Sequence, residues 1–203
     1  KERAKIVMTE LEKIYPEVPI PLNHRNAYEL LVAVALSAQT TDKKVNEVTP
    51  KLFSVAPNPE KMAALEEPEI KELIKEIGLS TTKAKNLKLM ANQLLERHNG
   101  EVPSNFEDLE NLAGVGHKTA SVVMSQAFGV PAFPVDTHIH RLMKQWKLTE
   151  GKNVVQTEND AKKLFPKETW NKLHLQIIFY GREYSPARGN QEKDYLTKML
   201  FEK

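Results

Sequence analysis

The chain contains no cysteine. Disulfides, thiolate metal sites and a cysteine nucleophile are thereby excluded, while the redox compartment stays open. Long apolar runs are also missing. No stretch reaches the roughly 18 consecutive apolar residues of a membrane span, and Lys1–Thr9 lacks the apolar core of a secretory signal. A cytoplasmic protein is the expectation. Charge of one sign is scarce too, since 29 Lys and Arg against 27 Asp and Glu leave a net +2. That permits nucleic-acid binding only through local clustering. Alternating apolar and polar runs that would mark β-hairpins, internal repeats and low-complexity tracts are all absent. What remains is 203 residues, 40% hydrophobic and 28% charged, enough for one large domain or two small ones.

Helical patterning fills the chain, so the expected fold class is all-α. Ala4, Val7, Leu11 and Ile14 make one stripe over Lys1 to Ile14, ended by the proline-rich Tyr15 to Pro21. Ala27 to Leu36 leaves hardly any polar face and reads as a buried central helix. After the polar turn Ser37 to Asp42 comes a helix carrying Val45, Val48, Leu52 and Phe53, which Pro50 should kink or shorten. Asn58-Pro59 opens a short helix, Glu67 to Ile77 forms another closed by Gly78, and Lys83 to His98 a longer one. Ser104 and Glu107 form a capping box for a helix ending near Leu112. Further helices are expected at His117 to Phe128, Asp136 to Trp146, Thr157 to Leu164 and Trp170 to about Tyr180, with a last short piece near the end.

Two glycines flank one residue in Leu112-Ala113-Gly114-Val115-Gly116-His117-Lys118-Thr119-Ala120. They allow a tight turn whose unpaired N–H groups point outward at a helix start, a site for phosphate. A bare Gly-x-Gly is more often an ordinary interhelical turn. Here the preceding helix, the following Lys-Thr-Ala and the later Val135-Asp136-Thr137-His138-Ile139 stand together in order.

With these residues the sequence resembles the helix-hairpin-helix DNA glycosylases of the endonuclease III family. The resemblance covers nearly the whole chain and includes Leu30 to Asp42, Ile77-Gly78-Leu79, Lys83-Ala84, Leu112 to Val123, Ala127-Phe128-Gly129, Val135 to Ile139, Gly151-Lys152-Asn153 and Gly181-Arg182. It implies two helical domains with a DNA-binding cleft between them. One would span 20–131 and hold the helix-hairpin-helix motif. The other would be discontinuous, 1–19 plus 132–203, with the remnant of a cluster loop at 185–203.

The resemblance also implies the chemistry. Lys118, in the first turn after the hairpin where the helix dipole disfavours a protonated amine, would attack the sugar C1′ of a damaged nucleotide and form a Schiff base that supports β-elimination. Asp136 would stabilise positive charge on the sugar and assist proton transfer; as Asp before Thr137-His138-Ile139 it also suits a helix N-cap, and both roles can coexist. Gln39 and Leu79 match the family's two inserting residues, a hydrogen-bonding partner for the orphaned base and an apolar wedge, although a leucine after glycine is as commonly a core residue. Gly114, Val115, Gly116 and His117, with Lys152 and Arg188, complete the expected DNA-binding set. Lys83, Lys85, Lys144 and Arg182 are further candidate phosphate contacts. His138 and His140 are separated by a single residue, which places them on different helix faces and argues against a metal pair.

The adenine-excising branch has a small hydroxyl residue at the place of Lys118 and a glutamate near Ala33, and this chain has neither. Oxidised pyrimidines and abasic sites in double-stranded DNA are the expected lesions, with the protein acting as a monomer, nucleoid-associated if bacterial. A non-catalytic helix-hairpin-helix DNA-binding module, or a glycosylase for another damaged base, is the rival. Most relatives carry an iron-sulfur cluster held by Cys-x6-Cys-x2-Cys-x5-Cys. Laid from Ser185, that spacing falls on Glu192, Tyr195 and Phe201, so no cofactor is expected. The segment should instead dock by apolar contacts of Tyr195, Leu196, Met199, Leu200 and Phe201.

Overall fold

The computed structural model describes residues 1–202. Twelve α-helices and no strand occur among the described residues, and none of those helices is long and apolar enough to cross a membrane. The chain divides into two compact units. One is continuous, Ile20–Phe128; the other joins Lys1–Pro19 to the chain from Gly129 onward.

The continuous unit is built round α2 (Ala27–Leu36), whose residues Leu30 to Val34 are all buried. Its start is fixed by Asn26, whose side chain accepts from the Glu29 N–H. Glu29 is itself buried and accepts from the Arg25 guanidinium through both carboxylate oxygens, the charge pairing that makes its burial tolerable. Against α2 pack α3 (Asp42–Val55), α6 (Ser80–His98) and α8 (His117–Phe128). Two short helices, α4 (Pro59–Ala64) and α5 (Glu67–Leu73), lie on α6, and α7 (Phe106–Glu110) lies on α8.

Several local expectations change: α5 ends at Leu73 rather than Ile77, and α6 begins at Ser80 rather than Lys83. Pro50 does not end α3, which continues through it to Val55. The cap of α7 is Asn105, which accepts from the Asp108 N–H, so the helix starts one residue later than a Ser104 cap would place it. A true capping box occurs earlier, between Glu66 and Glu69 at the start of α5.

The second unit packs α1 (Glu2–Ile14) against α11 (Trp170–Glu183) and α12 (Tyr195–Phe201), and α9 (Thr137–Gln145) against α11 and α10 (Val154–Leu164). Its core holds Leu11, Phe133, Leu142, Trp146, Ile177 and Tyr180. Gly181 lies inside α11, not after it: a Cβ there would stand 3.2 Å from His138 and Leu142 side-chain atoms, so glycine lets α9 approach.

The last helix is held differently from the expectation. Leu196 is fully buried, with Tyr195 and Leu200 partly so, but Met199 and Phe201 are 48% and 40% exposed. The fastening is polar. The buried Asp194 carboxylate receives hydrogen bonds from Tyr180 Oη (2.6 Å), Ser185 Oγ (2.7 Å), Gln145 Nε2 (2.7 Å), Thr197 Oγ1 (2.8 Å) and the Thr197 N–H (3.1 Å). Burial alone would raise the Asp194 pKa; the bonds from Tyr180, Ser185 and Thr197 outweigh it and hold the acid below its usual range. Of the four places set by the cluster spacing, Ser185 donates to this carboxylate and Tyr195 stacks edge-on against Tyr180 and Tyr184, so the side chains there fit a hydrogen-bonded lock and offer no thiolate to iron.

Candidate active site

In the continuous unit, α7 leads through Leu112 and Val115, both buried, into α8. Gly114 has φ +77, and a Cβ on it would press on Asn86 at 3.2 Å, so both backbone conformation and space require glycine. The turn is tied down by the Gln93 side chain, which accepts from the Ala113 N–H at 2.8 Å, and by the Val115 N–H bonding to Leu112 O at 3.2 Å. The first ladder bond of α8 runs from Ala120 N–H to Gly116 O, which leaves the N–H groups ahead of it pointed out of the helix mouth. Val115 can contribute only its backbone, because its side chain is in the core.

His117 and Lys118 are exposed in the first turn of α8. His117 stacks on Phe106 with ring centroids 5.6 Å apart and meets Glu110 at 3.3 Å.

Gln39 and Leu79 share a feature that sequence patterning does not reveal. Both are exposed, and both have a left-handed backbone, φ 59 and φ 61. A side-chain-bearing residue in that region costs about 1–2 kcal/mol, and such strain collects where function needs it. Leu79 is 56% exposed, which removes the core reading. It stands at the N-terminal end of α6.

Lys83, expected as a phosphate contact, spends its ammonium elsewhere. The residue is buried, and its ammonium donates to Leu36 O at 3.0 Å and Ala38 O at 2.6 Å. Burial pushes its pKa below the usual lysine range. Lys85 is exposed on the same helix.

In the other unit, Asp136 caps α9: its Oδ1 accepts from the Ile139 N–H at 2.8 Å. The cap uses one carboxylate oxygen. His138 receives a hydrogen bond from Arg141 at 3.1 Å and His140 pairs with Thr157 at 2.8 Å, so the two rings serve separate contacts. No group of three or more potential metal ligands occurs among the described residues. Lys152 is exposed beside Glu150, 3.6 Å away, and follows Gly151 (φ +62), over which the Lys144 stem packs. Arg188 is exposed in the loop before Asp194.

Residues 32–167 match the HhH-GPD superfamily of base excision DNA repair proteins. Endonuclease III of Haemophilus influenzae is 44% identical over 182 residues, covering 90% of this chain and 86% of its own. Endonuclease III of Bacillus subtilis is 40% identical over 188 residues, covering 92% and 86%. The chain belongs to the endonuclease III family. A solved structure of a trapped endonuclease III–DNA covalent intermediate, an estranged-adenine complex, superposes with a TM-score of 0.91 at 40% identity, covering 94% of this chain and 90% of that one. A non-covalent endonuclease III–DNA complex gives 0.92 at 39% identity, over 96% and 94%. As a family member the chain is a bifunctional DNA glycosylase and abasic-site lyase of base excision repair, acting on oxidised pyrimidines. An 8-oxoguanine glycosylase/lyase of Clostridium acetobutylicum, 17% identical with a TM-score of 0.72, shares the fold.

Proposed function

We propose that Lys118 is the nucleophile and Asp136 the catalytic carboxylate of this enzyme. The observation that carries the reading is the exposed Lys118 amine in the first turn of α8, beside N–H groups suited to hold a phosphate. Once deprotonated, its Nζ attacks C1′ of the damaged nucleotide. The glycosidic bond breaks and the base leaves with the electron pair. The sugar opens to a Schiff base, and loss of a C2′ proton expels the 3′ phosphate, cutting the strand. Asp136, which spends one oxygen on the cap, stabilises the positive charge that develops on the sugar. Gln39 and Leu79 fill the gap left by the extruded base. Lys152, Arg188 and the Gly114-Val115-Gly116-His117 backbone hold phosphates. The partner is duplex DNA carrying an oxidised pyrimidine or an abasic site, met in the cytoplasm by a monomer.

Borohydride reduction on a thymine-glycol duplex tests the assignment. The wild type should crosslink, and Lys118→Gln should not, while still binding the duplex. A Lys118→Gln protein that crosslinks as the wild type does would overturn it.

A further inference from the structure

Helix α6 carries two lysines whose ammonium groups are spent on backbone carbonyls at the ends of other helices. Lys88 donates to Ala63 O at 3.0 Å and to Leu65 O, closing α4. Lys83 closes α2 in the same way, through Leu36 O and Ala38 O. Cationic side chains at helix C-termini satisfy carbonyls that have no ladder partner. Of the two clamped ends, that of α2 leads within three residues to the left-handed Gln39. Ala38 immediately precedes Gln39, and the backbone N–H of Lys83 donates to Leu79 O at 2.9 Å. One residue therefore touches both loops: its side chain bonds Ala38 O, next to Gln39, and its backbone N–H makes the first ladder bond of α6, to Leu79 O. The two loops border a cavity of about 150 Å³ lined by Ala38, Leu79, Lys83, Asn86 and Gly114, so no packed side chain fills the space between them.

We propose that Lys83 is a positioning residue for base extrusion: it sets the spacing of Gln39 and Leu79 so that both enter the duplex as one rigid pair. The proposal rests on the reading of those two as the inserting residues. Without the ammonium, Ala38 O loses its donor, and the Gln39 loop is free to relax from its strained backbone while Leu79 keeps its place at the end of α6. Extrusion then loses half of its plug, and the flipped state loses population without any change at Lys118.

The test uses the full chain and compares Lys83→Met with Lys88→Met, which removes an equivalent helix-end clamp remote from Gln39. Single-turnover excision of thymine glycol from a duplex should fall about ten- to hundredfold for Lys83→Met, the loss expected for a charged hydrogen bond. The fluorescence of 2-aminopurine placed opposite the lesion should lose its rise on binding. Borohydride trapping on single-stranded abasic DNA, which has no partner strand to separate, should fall far less. Lys88→Met should show neither duplex defect, and Lys83→Arg, which keeps a cationic donor, should recover part of both. Lys83→Gln replaces the methionine variant if that one does not fold. The proposal fails if Lys83→Met keeps the fluorescence rise, if it loses single-strand trapping as severely as duplex excision, or if Lys88→Met behaves identically. Gln39→Ala and Leu79→Ala separate the two levels. If both keep the fluorescence rise, the inserting roles fall and the clamp with them; if they lose it while Lys83→Met does not, only the clamp falls.

Discussion

Asp136 gives one oxygen to the Ile139 N–H, and an asparagine could give the same bond through its amide oxygen. Asp136→Asn should therefore leave the melting temperature almost unchanged, since the cap survives, while single-turnover excision falls by about 10²- to 10⁴-fold, the usual worth of a positioned acid-base group. A variant as active as the wild type would leave Asp136 only its structural duty. His174 makes a second residue-scale prediction. Its Nδ1 donates to Trp170 O, while its buried Nε2 has no hydrogen-bond partner among the described residues. Burial pushes its pKa down from 6.5 to about 4. A proton added there would place an unpaired charge in the core. Between pH 6.5 and 4 the unfolded chain takes up that proton and the native protein does not, so stability falls as pH falls, by up to about 3 kcal/mol for such a shift. Urea unfolding across this window should be steeper in pH for the wild type than for His174→Gln.

At the scale of elements, α12 depends on one carboxylate. Asp194→Ala strips five donor groups of their acceptor and should cost about 3–5 kcal/mol, the range for breaking a buried charged network. Met199→Ala and Phe201→Ala should each cost about 1 kcal/mol or less, because both side chains are only partly covered, Phe201 by Arg3 and Lys147. Denaturant unfolding of the three variants checks the contrast, and equal losses would restore apolar packing as the fastening. Gln145 and Trp146 end α9, whose first turn is capped by Asp136; Gln145 donates to the Asp194 carboxylate, and Trp146 Nε1 bonds Thr197 Oγ1 at 2.9 Å. The lock therefore steadies the helix that presents the carboxylate. Much of this architecture is readable from the chain. The apolar run of α2 and the Asn58-Pro59 start of α4 are local signals, and the structure uses them, whereas the Asn153 cap that starts α10 at Val154 lies ahead of the Thr157 start expected for that helix. The Asp194 network is not readable, because its partners lie at 145, 180, 185 and 197 and share no period. The left-handed backbone at Leu79 is equally hidden, since nothing in leucine announces it. Lys83 misleads for another reason: a lysine facing phosphate and a lysine closing a helix look the same in sequence, and only burial separates them.

For the whole molecule, a net charge of +2 leaves DNA affinity to locally placed cations, for which the exposed Lys85, Lys152 and Arg188 are the candidates. Each phosphate neutralised contributes about 0.9 to the slope of log affinity against log salt, so about four contacts imply a loss of roughly a hundredfold between 50 and 200 mM salt. A fluorescence-anisotropy titration should show it, with Lys152→Ala and Arg188→Ala each flattening the slope and Lys83→Met leaving it as it was. Flat affinity in the wild type would refute electrostatic binding.

The Asp194 lock has a consequence for when and where such an enzyme can work. Everything it is made from arrives with the polypeptide: a carboxylate, three hydroxyls, an amide and a backbone N–H. The segment can close on the chain's own timetable, with no wait for metal delivery and no failure when iron is withheld. Peroxide, which creates the lesions this enzyme repairs, finds no sulfur ligand in that lock to attack.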